Sequence, residues 1–157
     1  MNLSFTVYGI PIPQGSLKAF MPRGRRFPVV TSDNLRTRPW KHMVGAAARE
    51  ALRDSPPLEG PVAIDIEFYL PRPTSAPKRV VYPVKKPDLD KLVRAILDAC
   101  TDAGVWKDDA QVIGASAIKA FAEGNVPVLR LGDPARRDRH PDHLGIPRAR
   151  IEVRSIE

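Results

Sequence analysis

The 157-residue chain has one cysteine, Cys100. A single thiol excludes an intrachain disulfide and a Cys-rich zinc site, and it fits a reducing, cytoplasmic compartment. No apolar run approaches the roughly 20 residues that cross a bilayer, so no membrane association is expected. The stretch from Met1 to Tyr8 alternates like a strand and lacks the apolar segment of a secretion signal. Acids are missing where bases gather. None precedes Asp33, whereas Lys18, Arg23, Arg25 and Arg26 all do. Residues 71–87 carry Arg72, Lys78, Arg79, Lys85 and Lys86 without one acid. A third basic stretch, with Arg136, Arg137, Arg139, Arg148 and Arg150, is diluted by Asp133, Asp138 and Asp142. With a net charge of +7, these clusters are the footprint of a protein that meets a polyanion.

Hydrophobic periodicity organises the rest. Leu3 to Ile10 alternates as a strand, then Pro11, Pro13 and Gly15 open a loop running to about Phe27. Phe27 to Thr31 suggests a short edge strand. Trp40, Met43, Val44, Ala47 and Ala48 recur at helical spacing, with Asn34 or Thr37 as cap and Ser55-Pro56-Pro57 as stop. Pro61 to Leu70 places Val62, Ile64, Ile66 and Phe68 on one face, the mark of a half-buried strand. Leu89, Leu92, Val93, Ile96, Leu97 and Cys100 define a helix from Leu89 to Asp102, with Asp88 as its cap and Gly104 as its stop. Gln111–Ala120 and Ala149–Ile156 read as two further strands, with a polar connection from Phe121 to Pro147. The expected fold is α/β of the α+β kind: one domain over residues 1–157, a mixed sheet with two main helices packed on it.

The acids that do occur are concentrated. Asp88-Leu89-Asp90 opens the second helix, and Asp108-Asp109-Ala110-Gln111 follows a short loop after it. Clustered carboxylates repel one another unless a cation joins them, and a divalent ion is the usual occupant. If the strand after Gln111 lies beside the helix, Asp108 or Asp109 completes a site begun by Asp88 and Asp90. Mg²⁺ keeps several waters, so two or three carboxylates suffice to hold it. Arg94, four residues from both Asp90 and Asp98, suggests a charge ladder along one helix face. Asp-x-Asp alone is too common to carry this reading: Asp88 as a plain cap and Asp108-Asp109 as a plain turn stand beside it.

The wider pattern is more specific. Lys85-Lys86-Pro87-Asp88-Leu89-Asp90, then Leu97-Asp98-Ala99 and Trp106-Lys107-Asp108-Asp109-Ala110-Gln111-Val112, resembles the RusA family of Holliday-junction resolvases. Tyr8 to Ser16, with Trp40-Lys41 downstream, is similar to phage-type members. The resemblance is close over residues 85–112 and looser over most of the chain. It implies a homodimer whose two Mg²⁺-dependent sites nick opposing strands of a four-way junction in recombination and repair; whether Mn²⁺ substitutes is left open by the sequence. Carried over by residue, the metal acids fall on Asp88, Asp90 and Asp109, with Asp108 as a neighbour. The family's functional lysine falls on Arg94, which keeps the charge but is a poor proton donor. Lys91 stands where asparagine commonly follows the Asp-x-Asp, and it offers an amine in compensation.

Lys78, Arg79, Lys85, Lys86, Arg25, Arg26, Arg136 and Arg137 are the expected DNA contacts. Other readings remain open at this level. They are a nuclease for flaps or forks, a branched-DNA-binding protein impaired in catalysis through Arg94 and Lys91, and a transferase holding a metal–diphosphate. His140-Pro141-Asp142-His143 lacks further ligands for zinc. Trp40, Trp106 and Cys100 are expected in the core rather than in chemistry.

Overall fold

A computed structural model describes residues 1–24, 26–32, 35–77, 79–123 and 145–156. The elements are β1 (Asn2–Tyr8), β2 (Leu17–Phe20), β3 (Val29–Ser32), α1 (Thr37–Leu52), β4 (Val62–Leu70), α2 (Leu89–Asp102), a 3₁₀ turn (Asp109–Gln111), β5 (Val112–Phe121) and β6 (Arg148–Ser155). The mixed sheet and two-helix arrangement expected from periodicity is what forms.

Four strands make the main sheet in the order β1-β6-β4-β5, while β2 and β3 pair separately as an antiparallel hairpin. That hairpin corrects the expectation of a loop from Pro11 to Phe27. Only four residues long, β2 is too short for its alternation to register as a signal. β6 runs antiparallel to both β1 and β4, whereas β4 and β5 are parallel. Parallel neighbours need a crossover, and α2 supplies it.

β4 shows why the register is unambiguous. Val62, Ile64, Ile66 and Phe68 are all essentially inaccessible, while Ala63, Asp65 and Glu67 on the other face are only half-buried. A slip by one residue would expose four large side chains and bury two carboxylates. On the buried face these residues meet Leu92, Ala95, Ile96, Ala99 and Cys100 of α2, with Trp40, Val44 and Ala48 of α1 in the same cluster. Trp106, Trp40 and Cys100 all lie in this core, as their apolar surroundings in the sequence predict. The opposite face carries a polar ladder in which Arg154 donates to Asp65 and Arg150 to Glu152.

α2 spans the residues its spacing dictates, and its end is explicit. Gly104 has a φ of +77°; its N–H donates to the Thr101 carbonyl and that of Val105 to the Cys100 carbonyl, each at 3.0 Å. This is the Schellman closure, which places a glycine at the left-handed position. Of the two expected caps on α1, Asn34 lies outside the described residues and Thr37 does not take the cap position. Arg36 occupies that position, and Thr37 instead donates its hydroxyl to the Pro13 carbonyl at 2.8 Å, tying the loop after β1 to the helix. No helix among the described residues is long and apolar enough to cross a membrane.

Candidate active site

The crossover fixes where the acids stand. A helix linking two parallel strands runs back antiparallel to them, so its N-terminus lies at their carboxyl ends. Asp88 and Asp90 therefore open α2 at the level where β5 finishes. Lys119, late in β5, marks that level: its ammonium donates to the Pro87 carbonyl at 2.9 Å and the Lys85 carbonyl at 3.2 Å. Residues 85–88 are thereby pinned against the sheet from below.

Asp88 occupies the N-cap position in an extended conformation, but its side chain accepts no bond from the helix. Both it and Asp90 are exposed. Among the described residues the cation nearest Asp88 is Lys91, with Nζ 3.7 Å away. Lys91 also donates to the Ser16 hydroxyl at 3.4 Å, and its carbonyl accepts from the Gln14 N–H at 2.8 Å. The loop after β1 thus lies against the first turn of α2. Asp90 has no hydrogen-bond or ion-pair partner among the described residues. Arg94, one turn further along, is exposed and equally unpartnered among them. The charge ladder expected through Arg94 does not form: Asp98 is taken by Lys41 of α1 at 3.4 Å, and Lys41 also reaches Asp102 at 3.2 Å.

The Asp108-Asp109-Ala110-Gln111 motif is built differently. Asp108 caps the 3₁₀ turn, accepting from the Ala110 N–H at 2.8 Å. Gln111 answers it, its side-chain oxygen accepting from the N–H groups of Lys107 at 2.9 Å and Asp108 at 3.3 Å. The amide nitrogen of Gln111 donates to the carbonyls of Leu58 at 3.0 Å and Gly60 at 2.9 Å. A capping box with a cross-link to the start of β4 is the result. Asp108 and Gln111 hold the turn, and Asp109 is left exposed, with no partner among the described residues.

The two acidic groups do not converge within one chain. β5 does lie beside α2, but the 3₁₀ turn adjoins the helix's C-terminal end while Asp88 and Asp90 open its N-terminal end. The 14 residues of α2 put about 20 Å between Asp109 and Asp88 at the usual helical rise. Among the described residues no three acidic, histidine or cysteine side chains are grouped closely enough to hold an ion. The expectation of converging carboxylates is therefore corrected for the single protomer.

Of the expected DNA contacts, Arg26, Arg79, Lys85 and Lys86 are exposed, the last two directly before Asp88. Arg25, Lys78, Arg136 and Arg137 lie outside the described residues, as do His140 and His143. Sequence reasoning singled out neither Lys119 nor the Gln111 cross-link. For Lys119 a signal existed: it is the one charged residue in an otherwise neutral strand. The thiol of Cys100 plays no part in this surface, since burial pushes it up from 9.0 to about 12 and keeps it protonated.

At this helix mouth the exposed carboxylates Asp88 and Asp90 stand among the cations Lys85, Lys86, Lys91 and Arg94. Residues 12–129 match the family described as Endodeoxyribonuclease RusA, and the chain belongs to that family. Its class is therefore that of a DNA-cleaving enzyme. It is also similar to a Bacillus subtilis (strain 168) protein described as Uncharacterized protein YqaN. The two are 30% identical over 131 residues, covering 77% of this chain and 89% of that protein.

Proposed function

We propose that residues 1–157 form a single-domain, Mg²⁺-dependent endodeoxyribonuclease that resolves four-way DNA junctions as a homodimer by paired nicks. The observation that carries this reading is the pair Asp88 and Asp90: two exposed carboxylates under a rim of cations, in a chain of the RusA family. Asp88, Asp90 and Asp109 form an all-oxygen donor set, and two of the three have no competing partner among the described residues. Such hard, anionic donors suit Mg²⁺ or Mn²⁺. A bound divalent ion supplies Lewis-acid polarisation of the scissile phosphate and lowers the pKa of water.

Oxygens bound to one ion stand within about 4 Å of each other, given metal–oxygen distances near 2.1 Å. Asp109 cannot meet that limit from its own protomer, some 20 Å away at the helical rise. The partner copy's Asp109 must therefore complete the set begun by Asp88 and Asp90. Dimerisation then becomes a condition for chemistry, and two sites related by a twofold axis match the symmetry of a junction with paired cuts.

The chain's own residues contribute the remainder. Lys119 fixes the backbone that presents Asp88. Arg94 and Lys91 place positive charge where the scissile phosphate would lie, with Arg94 as a phosphate anchor rather than a proton donor. Lys85, Lys86, Arg79 and Arg26 track the backbone, so junction binding weakens steeply as salt rises. Incubating the protein with an end-labelled four-way junction, with and without Mg²⁺, beside Asp90→Asn tests the reading. Symmetric nicks that need both the ion and Asp90 are expected; equal cutting by Asp90→Asn would overturn it. Flap and linear duplex substrates run alongside decide junction preference.

A further inference from the structure

Lys85, Lys86, Lys91 and Arg94 border the mouth of α2, and among the described residues Lys91 alone of the four forms an ion pair. Its Nζ stands 3.7 Å from Asp88 Oδ2, a consequence of helix geometry. Residue 91 lies one turn past Asp88, and a helical side chain leans back toward the N-terminus of its own helix. The backbone under it is held in place, since the Lys91 carbonyl accepts from the Gln14 N–H at 2.8 Å. The same loop offers the ammonium a second acceptor. Ser16, exposed and directly before β2, takes a hydrogen bond from Lys91 Nζ at 3.4 Å. One partner is therefore a carboxylate and the other a neutral hydroxyl.

These partners differ in what else they are needed for. Asp88 and Asp90, two residues apart at the helix start, carry two negative charges, and Lys91 offsets one of them. A divalent ion on Asp88 Oδ2 would stand about 2.1 Å from that oxygen. It would then lie no more than about 6 Å from the present position of Lys91 Nζ. A double and a single positive charge at that separation repel enough, even through water, to weaken binding about tenfold. The ion pair holding Lys91 is weak by comparison. Its two side chains are 42% and 47% exposed, and such pairs hold by a factor of a few at most. The ion thus displaces the ammonium, and Ser16 Oγ is the acceptor already in reach.

We infer that Lys91 is a tethered stand-in for the divalent ion, holding Asp88 while the ion is away and withdrawing to Ser16 Oγ as it binds. The inference rests on the reading of Asp88 and Asp90 as metal acids, and it adds the side chains that set how tightly they take up the ion. Lys91 lowers the ion affinity of the free protein, because its charge must move first. Ser16 opposes it, because its hydroxyl gives the displaced charge a place to go. The two residues act with opposite sign on one equilibrium, and Ser16 acts only through Lys91.

Mn²⁺ binding to the full chain without DNA tests this apart from turnover, with unbound Mn²⁺ read by electron paramagnetic resonance at low ionic strength. Lys91→Gln removes the charge from a partly exposed position and is expected to tighten binding by up to about tenfold. Lys91→Arg keeps the charge and should stay near wild type. Ser16→Ala removes the alternative acceptor and should weaken binding about twofold. In the Lys91→Gln background the same change should do nothing. Lys91→Gln binding no tighter than wild type would overturn the stand-in role and leave Asp88 and Asp90 as metal acids. A Ser16→Ala effect that persists without Lys91 would overturn the part given to Ser16. Mn²⁺ binding that Asp90→Asn leaves unchanged would overturn the metal-site reading itself, and the inference with it.

Discussion

Mixing two dead variants should regenerate activity. Asp88→Asn removes a carboxylate at the start of α2, and Asp109→Asn removes one about 20 Å away at the helical rise. Each variant alone leaves every site of its homodimer with one lesion. In a mixed dimer the two lesions fall together. One site keeps Asp88 and Asp90 from the Asp109→Asn chain and Asp109 from the Asp88→Asn chain; the other site loses both. Random reassortment of equal amounts makes about half of all dimers mixed, with one of two sites intact, so roughly a quarter of wild-type nicking should return. Because only one site per mixed dimer works, the products should be single nicks rather than resolved duplexes. The assay is end-labelled junction cleavage in Mg²⁺ after the variants are unfolded and refolded together, with exchange verified by a tag on one of them. Verified exchange with no nicking above either parent would refute the shared site, since a site built within one protomer stays broken in every combination.

The two neighbouring acids should separate cleanly. Asp108→Ala removes the acceptor for Ala110 and should lower stability by about 1 kcal/mol in urea while cleavage largely persists; Asp109→Asn should leave the urea midpoint unchanged and abolish cutting. Lys119→Met keeps the aliphatic stem but deletes both bonds to the Pro87 and Lys85 carbonyls. It should cost about 2 kcal/mol and reduce the cleavage rate more than junction affinity, measured by single-turnover kinetics and gel retardation; unchanged cleavage would remove Lys119 from the site. Alkali should destabilise the fold through Cys100. Burial raises its folded pKa to about 12, so its contribution is complete below the ordinary value of 9.0 and declines as the unfolded thiol ionises above it. The slope is about 1.4 kcal/mol per pH unit, and urea titrations of Cys100→Ala between pH 9 and 11 should lack that part of the decline.

Several elements were legible before any coordinates. The Leu89–Asp102 helix emerged with its true bounds because its apolar spacing, the preceding proline and the terminal glycine agree, and each acts through local backbone physics. The strand at Val62–Leu70 was equally plain, since strict alternation over nine residues has no helical counterpart. β2 was missed because four residues give alternation no room, and its pairing with β3 is a contact between chain segments. Asp88, Asp90 and Asp109 stood out by motif. The resemblance ranked Asp109 above Asp108, but the role of Asp108 as a cap was not legible, because it depends on which carboxylate finds the Ala110 N–H.

By itself the sequence determined the elements, the buried faces and the basic character of the surface. These follow from spacing and composition, which act over a few residues at a time. Only the tertiary structure decided how far apart the acids lie. Asp90 and Asp109 are near in sequence, and a strand beside the helix was expected to bring them together. The strand is there, yet the parallel pairing of β4 with β5 makes α2 a crossover, and a crossover helix must end where the next strand begins. That single choice of strand direction places Asp109 at one end of α2 and Asp88 at the other.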